Sequence, residues 1–172
     1  MAQKSCYCST TVQLASMKEK ILISACLIGE RVRYDGRSKA LLDDHLSTWK
    51  KEGRLVPICP EVLGGLPVPR EPAEQVGTLI LSQSGKDVTQ AFEKGAALCL
   101  EVVRKNNIKV AILKERSPSC ASKQVYDGTF SGHLVDGKGR TTLVLEEEGV
   151  RVFGESEIQE AWAYICTIDA KG

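Results

Sequence analysis

The chain predicts an α/β fold: a single domain on a mostly parallel, doubly wound, Rossmann-like sheet. Three observations carry that expectation. Short apolar runs at residues 20–25, 54–58 and 108–113 have the length and composition of buried strands. Longer segments with apolar residues at helical spacing separate them, and such alternation is the pattern of a parallel sheet covered on both faces. Finally, a cysteine stands in the loop after each run: Cys26, Cys59 and Cys120. Parallel strands would deliver all three to one edge, the edge where open α/β sheets bind ligands.

In chain order, residues 1–16 are rich in Ser and Thr and lack periodicity. They are expected to form a flexible arm ahead of a domain at 17–172. Met17 directly precedes the first strand, so a chain starting there should keep the fold. Cys6 and Cys8 on the arm make a weak metal motif and are expected to be dispensable. After Cys26, Asp35-Gly36 marks a turn. Ser38 is placed to cap a helix running to about Glu52, with Leu41, Leu42, Leu46 and Trp49 on one face and Gly53 ending it. Pro60 closes the second strand after Cys59. Four of the six prolines lie between positions 60 and 72, which predicts a rigid, extended, functional loop. A short strand at 78–81 and a turn at 84–87 follow. The spacing of Val88, Phe92, Ala96, Cys99 and Val103 predicts a long helix from Asp87 to Asn107. The third strand must stop by Pro118, which lacks a donor and restricts its predecessor. A Gly-rich segment at 126–139 precedes a helix at 140–148, a strand at 150–153 and a last helix from Glu155 to about Ile165. Ile158, Trp162 and Ile165 are expected to face inward there, and Cys99 and Cys166 read as buried helix residues.

The chain's 172 residues suffice for one domain with a sizeable core, and 42% hydrophobic and 26% charged residues are ordinary for a globular protein. A net charge of +1 gives no electrostatic case for a polyanion, so no polymeric nucleic acid is expected. No apolar run reaches the roughly 18 residues of a membrane helix. Seven cysteines, an odd number, accompany an N-terminus without the apolar core of a signal peptide. A reducing, cytoplasmic compartment is expected, where clustered cysteines serve as metal ligands or catalysts more often than as disulfides.

Three readings of the strand-end cysteines compete. Cysteine is often small core filler, but strand ends on a binding edge are a poor place for filler. A phosphatase loop needs Cys-x5-Arg, and the required position after Cys26 holds Val32, between Arg31 and Arg33. Three thiolates from separate loops suit a soft or borderline ion, zinc or an iron–sulfur cluster. Three ligands rather than four leave a coordination position open for Lewis-acid catalysis.

The blocks ILISACLIGERVRYDGRSK, VPICPEVLGGLPVPREPAE and LKERSPSCASKQVYDG resemble, in the same order, the three signature blocks of the short thiouracil desulfurases, also catalogued as domain of unknown function 523. The resemblance spans roughly residues 19–168. It implies a [4Fe-4S] cluster held by Cys26, Cys59 and Cys120 with the fourth iron open. It further implies desulfuration of 2-thiouracil or a related thiolated base to uracil and sulfide, with water attacking the carbon. An open iron is vulnerable to oxidants, so aerobic handling is expected to strip the cluster. The alternative reading is a non-catalytic zinc- or nucleotide-binding module with structural cysteines.

That chemistry needs proton donors and acceptors. Glu61, two residues past Cys59, and Ser117 and Ser119, flanking Pro118, are the catalytic candidates. Their plainer roles are a solvated or helix-capping carboxylate and loop-capping hydroxyls. Arg33, Asp35, Arg70 and Asp127 are candidates for binding the base. Surface exposure is the default for the arginines, and turn formation for each Asp in Tyr-Asp-Gly. His45 and His133 lie far from any cysteine in sequence and are assigned no role.

Overall fold

The fold is that of a computed structural model, which describes residues 18–171. The expectations for the arm, Cys6, Cys8 and Met17 lie outside the described residues. The central sheet is four-stranded and parallel, in the order β2-β1-β5-β8. Its strands are Ile21–Ser24 (β1), Leu55–Ile58 (β2), Val110–Leu113 (β5) and Arg151–Gly154 (β8). The chain steps from β1 to β2 on one side and then returns to β5 on the other side of β1. The order therefore reverses between β1 and β5, and a crevice opens at such a switch point. β2 is an edge strand, which is where Pro57 can sit without breaking a ladder.

Strand side chains alternate between two packed faces. Ile21, Ile23 and Ile112 pack with Leu46 and Trp49 of α1 (Asp44–Lys51) and Ile158, Ala161 and Ile165 of α5 (Ile158–Asp169). Leu22, Ala111 and Leu113 face the other way, onto Cys99 and Val103 of α3 (Thr89–Asn106) and Leu145 of α4 (Arg140–Glu147). Helices thus cover both faces, as the sequence predicts. No helix among the described residues is long and apolar enough to cross a membrane.

Several elements differ from expectation. Helix α1 begins at Asp44, not near Ser38, because the Asp43 carboxylate accepts from the N–H groups of His45 and Leu46 at 2.8 and 3.1 Å. The residues before it are used otherwise: Lys39 N–H donates to the Cys26 carbonyl and Leu41 N–H to that of Leu27. Leu42 is consequently exposed. The proline-rich stretch contains a short helix, α2 (Pro60–Leu63), and a strand, β3 (Ala73–Val76), paired antiparallel with β4 (Leu79–Ser82). The Gly-rich segment holds a second hairpin, β6 (Gln124–Tyr126) with β7 (Leu134–Asp136). Helix α5 starts late because Glu157 turns back to accept from Gly154 N–H. Its buried stripe runs through Ile158, Ala161 and Ile165. One step round the helix from that stripe, Trp162 is 39% exposed and Cys166 is exposed, not buried as expected.

Candidate metal centre and active site

The carboxyl ends of the parallel strands open into a cleft of about 970 Å³, at the upper end of the range for small-molecule sites. Cys26, Cys59 and Cys120 all line it. Each is presented differently. Cys26 sits in a 3-10 turn (Ala25–Ile28) that leaves β1, its carbonyl held by Lys39 N–H. Cys59 directly follows β2 and caps α2, whose first residue is Pro60. Cys120 lies in the loop after β5, where the Ser117 hydroxyl accepts from the N–H groups of Ser119 and Cys120 at 3.1 Å each. The start of α4 secures that loop from behind. Arg140 and Thr141 N–H donate to the Pro118 and Ser119 carbonyls, and the Thr142 hydroxyl donates to the Cys120 carbonyl at 2.8 Å.

All five described cysteines are free thiols. Burial pushes Cys26 up to about 11, and Cys59 beside it adds to the rise. Burial also raises Cys59, against the backbone N–H groups of Val62 and Glu61, which favour the thiolate. Cys120 is raised well above its ordinary value by burial, then by Glu61 and Cys59, while a hydrogen bond from Ser24 acts the other way. The three sulfurs thus sense one another, and Lys114, Arg33 and Arg70 lie close enough to offset their charge. This is a soft, thiol-only donor set with cationic neighbours. No three His, Cys, Asp or Glu side chains among the described residues are grouped tightly enough to hold a single metal ion. Cys99 is buried on α3 outside the cleft, pushed up to about 12 by burial and then by Cys59.

The candidate acid–base groups separate cleanly. Glu61 lines the cleft, its Oε2 held 2.7 Å from the Arg70 guanidinium. The Ser117 hydroxyl donates to Glu61 Oε1 at 3.3 Å, so one carboxylate spans the Cys59 and Cys120 loops. Arg70 lines the cleft but is only 7% exposed. It also donates to the Val32 and Pro67 carbonyls, which fixes it as the holder of Glu61. Ser119 is fully buried, shares a 2.8 Å hydrogen bond with Thr141, and does not line the cleft. Arg33 lines the cleft, pairs with Asp35 at 3.1 Å and lies over Tyr34. Asp35 and Asp127 do not line it. Each braces its own turn, Asp35 on Arg37 N–H and Asp127 on Thr129, whose N–H and hydroxyl bind it and hold it below the usual carboxylate range.

Lys114 and Glu155 were not among the sequence candidates. They pair at 2.9 Å inside the cleft, and Lys114 N–H donates to Ser24 Oγ. Their signal was present: Lys114 is the first polar residue after the apolar run of β5, and Glu155 is the first residue after β8. The rule that found the cysteines, polar groups at the carboxyl ends of parallel strands, finds these two as well.

Comparison with known proteins agrees with this architecture. A solved structure of a [4Fe-4S]-dependent thiouracil desulfidase, TudS, superposes with a TM-score of 0.86 at 45% identity, covering 87% of this chain and 99% of that one. An uncharacterized protein of Bacillus subtilis (strain 168), YbbK, is 40% identical over 150 residues, 81% of this chain and 98% of that protein. The profile of the 2-thiouracil desulfurase family matches residues 21–157, a span that contains every cleft residue named above. The chain belongs to the 2-thiouracil desulfurase family.

Proposed function

We propose that this chain exchanges the sulfur of a thiolated pyrimidine such as 2-thiouracil for the oxygen of water, using a [4Fe-4S] cluster held by Cys26, Cys59 and Cys120. The observation that carries this reading is the cleft itself. Three free thiols from three parallel strand ends line it, with the Glu61–Ser117 pair bridging two of their loops. The residues fit such a group: a cluster takes one thiolate per iron, so its ligands stand further apart than those of a single zinc. When bound, the cluster supplies an open iron that acts as a soft Lewis acid toward sulfur.

The reaction balances without electron transfer: a thiocarbonyl and water give a carbonyl and hydrogen sulfide. Glu61, aimed by Arg70, takes a proton from the attacking water. The Ser117 hydroxyl, already donating to Glu61, passes protons between that carboxylate and the departing sulfur. Arg33 offers a donor to a carbonyl oxygen of the base. Buried Ser119 serves the loop rather than the proton transfers. The small-molecule substrate follows from the family. The test is anaerobic reconstitution with iron and sulfide, followed by 2-thiouracil. Uracil and sulfide should appear in equal amounts; a brown protein that releases neither would refute the proposal.

A further inference from the structure

Phe130 stands in the loop between β6 and β7 with φ 57°, a left-handed conformation that bulky residues seldom adopt. Its neighbours Gly128 and Gly132 take positive φ at little cost. The loop is built to hold the strain. The carboxylate of Glu74, on β3 and only 8% exposed, accepts from both Gly128 and Phe130 N–H at 3.0 Å. Asp127 N–H donates to the His133 carbonyl and closes the base of the loop. A Cβ at Gly128 would collide with the Gln75 carbonyl, so the loop is seated on β3. Phe130 and Tyr126 both line the cleft.

A strained backbone fixed by a buried carboxylate needs a reason, and presenting an aromatic ring to a ligand is one. We propose that Phe130 is the specificity-determining residue for a planar heterocycle, laying its ring on the face of the pyrimidine while the polar groups of the cleft address its edges. The inference rests on the proposed function and deepens it. Every nucleobase has a π-face, so such a contact selects for flat rings rather than for one base. Glu74 acts through Phe130 and is a positioning residue.

The experiment compares reconstituted full-length wild type with Phe130→Ala, Phe130→Tyr and Glu74→Gln. Phe130→Ala should raise KM for 2-thiouracil by roughly 5- to 150-fold, the span of base–aromatic stacking, with kcat little changed. The Kd of uracil, read by ligand-observed NMR, should weaken by the same factor, and Phe130→Tyr should restore both. KM for an acyclic thiourea should not move. Glu74→Gln should give a smaller rise in KM at unchanged iron content. Unchanged KM and uracil Kd in Phe130→Ala, or an equal loss for the acyclic thiourea, would overturn the inference. If the wild type desulfurates nothing, the proposed function fails, and the uracil titration alone still decides the role of Phe130. Absence of uracil binding to the wild type would also overturn it.

Discussion

Glu61 is the residue on which the proposed proton transfers turn, and its surroundings decide how to test it. Deleting the carboxylate would strand the nearly buried Arg70, and breaking such a pair costs about 3–5 kcal/mol. Glu61→Gln keeps an acceptor for Arg70 and removes the base. It should retain the iron and a folded state while turnover falls by about 10²–10⁴-fold; wild-type turnover would move the role to another group. The thiols give a second prediction. Cys26, Cys59 and Cys120 are all raised, Cys26 to about 11, so each is protonated at neutral pH and must release its proton to bind metal. Iron incorporated at a fixed time should be higher at about pH 8.5 than at about pH 6.5, and loading should acidify a weak buffer. Cys99 gives a stability prediction. Its thiol rises from 9.0 to about 12 on folding, so its contribution is fully present below pH 9.0 and is lost as pH climbs toward 12. The metal-free Cys99→Ala variant should therefore show a shallower alkaline loss of stability than the metal-free parent, in denaturant titrations across that window. At this scale the sequence made the three cysteines and Glu61 readable, because strand ends and Pro60 fix their places. It could not say which serine beside Pro118 turns toward the cleft, since both satisfy the same loop pattern. Only the packing of α4 against the loop buries Ser119 and leaves Ser117 facing Glu61.

Helix α2 carries Glu61 and follows Cys59, so its seating on α3 sets the geometry of the site. Gly64 and Gly95 let the two backbones meet: a Cβ at Gly95 would collide with the Pro60 carbonyl, and one at Gly64 with that of Ala91. Helix propensity alone predicts that Gly95→Ala stabilises α3 by roughly 0.5–1 kcal/mol. The close approach reverses the sign. Overpacking should cost about 1–3 kcal/mol in denaturant titrations and lower activity further than stability, because α2 must shift; a stabilised, fully active Gly95→Ala would show that α2 can move without consequence. The elements with both faces buried, or with a pattern repeated over several turns, were the legible ones. Strands β1 and β5 are buried throughout, with Ser24 their one polar residue, because both their faces are covered, and α3 repeats its buried residues over several turns. Strand β4 forms where a short strand was expected at 78–81, but β3, β6 and β7 carry polar residues within three or four positions, so no periodicity could build up. The early start expected for α1 failed for a different reason. Residues 39 and 41 hydrogen-bond to the Cys26 turn, a tertiary use of the backbone that local pattern does not encode.

Across the whole molecule, a parallel sheet gathers chemistry from distant stretches of chain. Its order reverses between β1 and β5, and the loops after those strands bring Cys26 and Cys120, while β2 adds Cys59. The hairpins then wall the cleft and hold the Phe130 loop against it. The architecture was legible because strand–helix alternation constrains topology strongly. The hairpin walls were not: β3 meets the Pro118 and Phe130 loops through Gln75 and Glu74, tertiary hydrogen bonds that local pattern does not encode. Under the proposed function, the three strand-end thiols, and no other described cysteine, hold the cluster. The most direct measurement is iron and acid-labile sulfide content, with 2-thiouracil turnover, of anaerobically reconstituted single Cys→Ala variants at positions 26, 59, 99, 120 and 166. Changes at 26, 59 and 120 should each abolish turnover and deplete iron, while those at 99 and 166 should retain about four iron atoms per chain and the activity. Full iron content and turnover after loss of Cys26, Cys59 or Cys120 would contradict it.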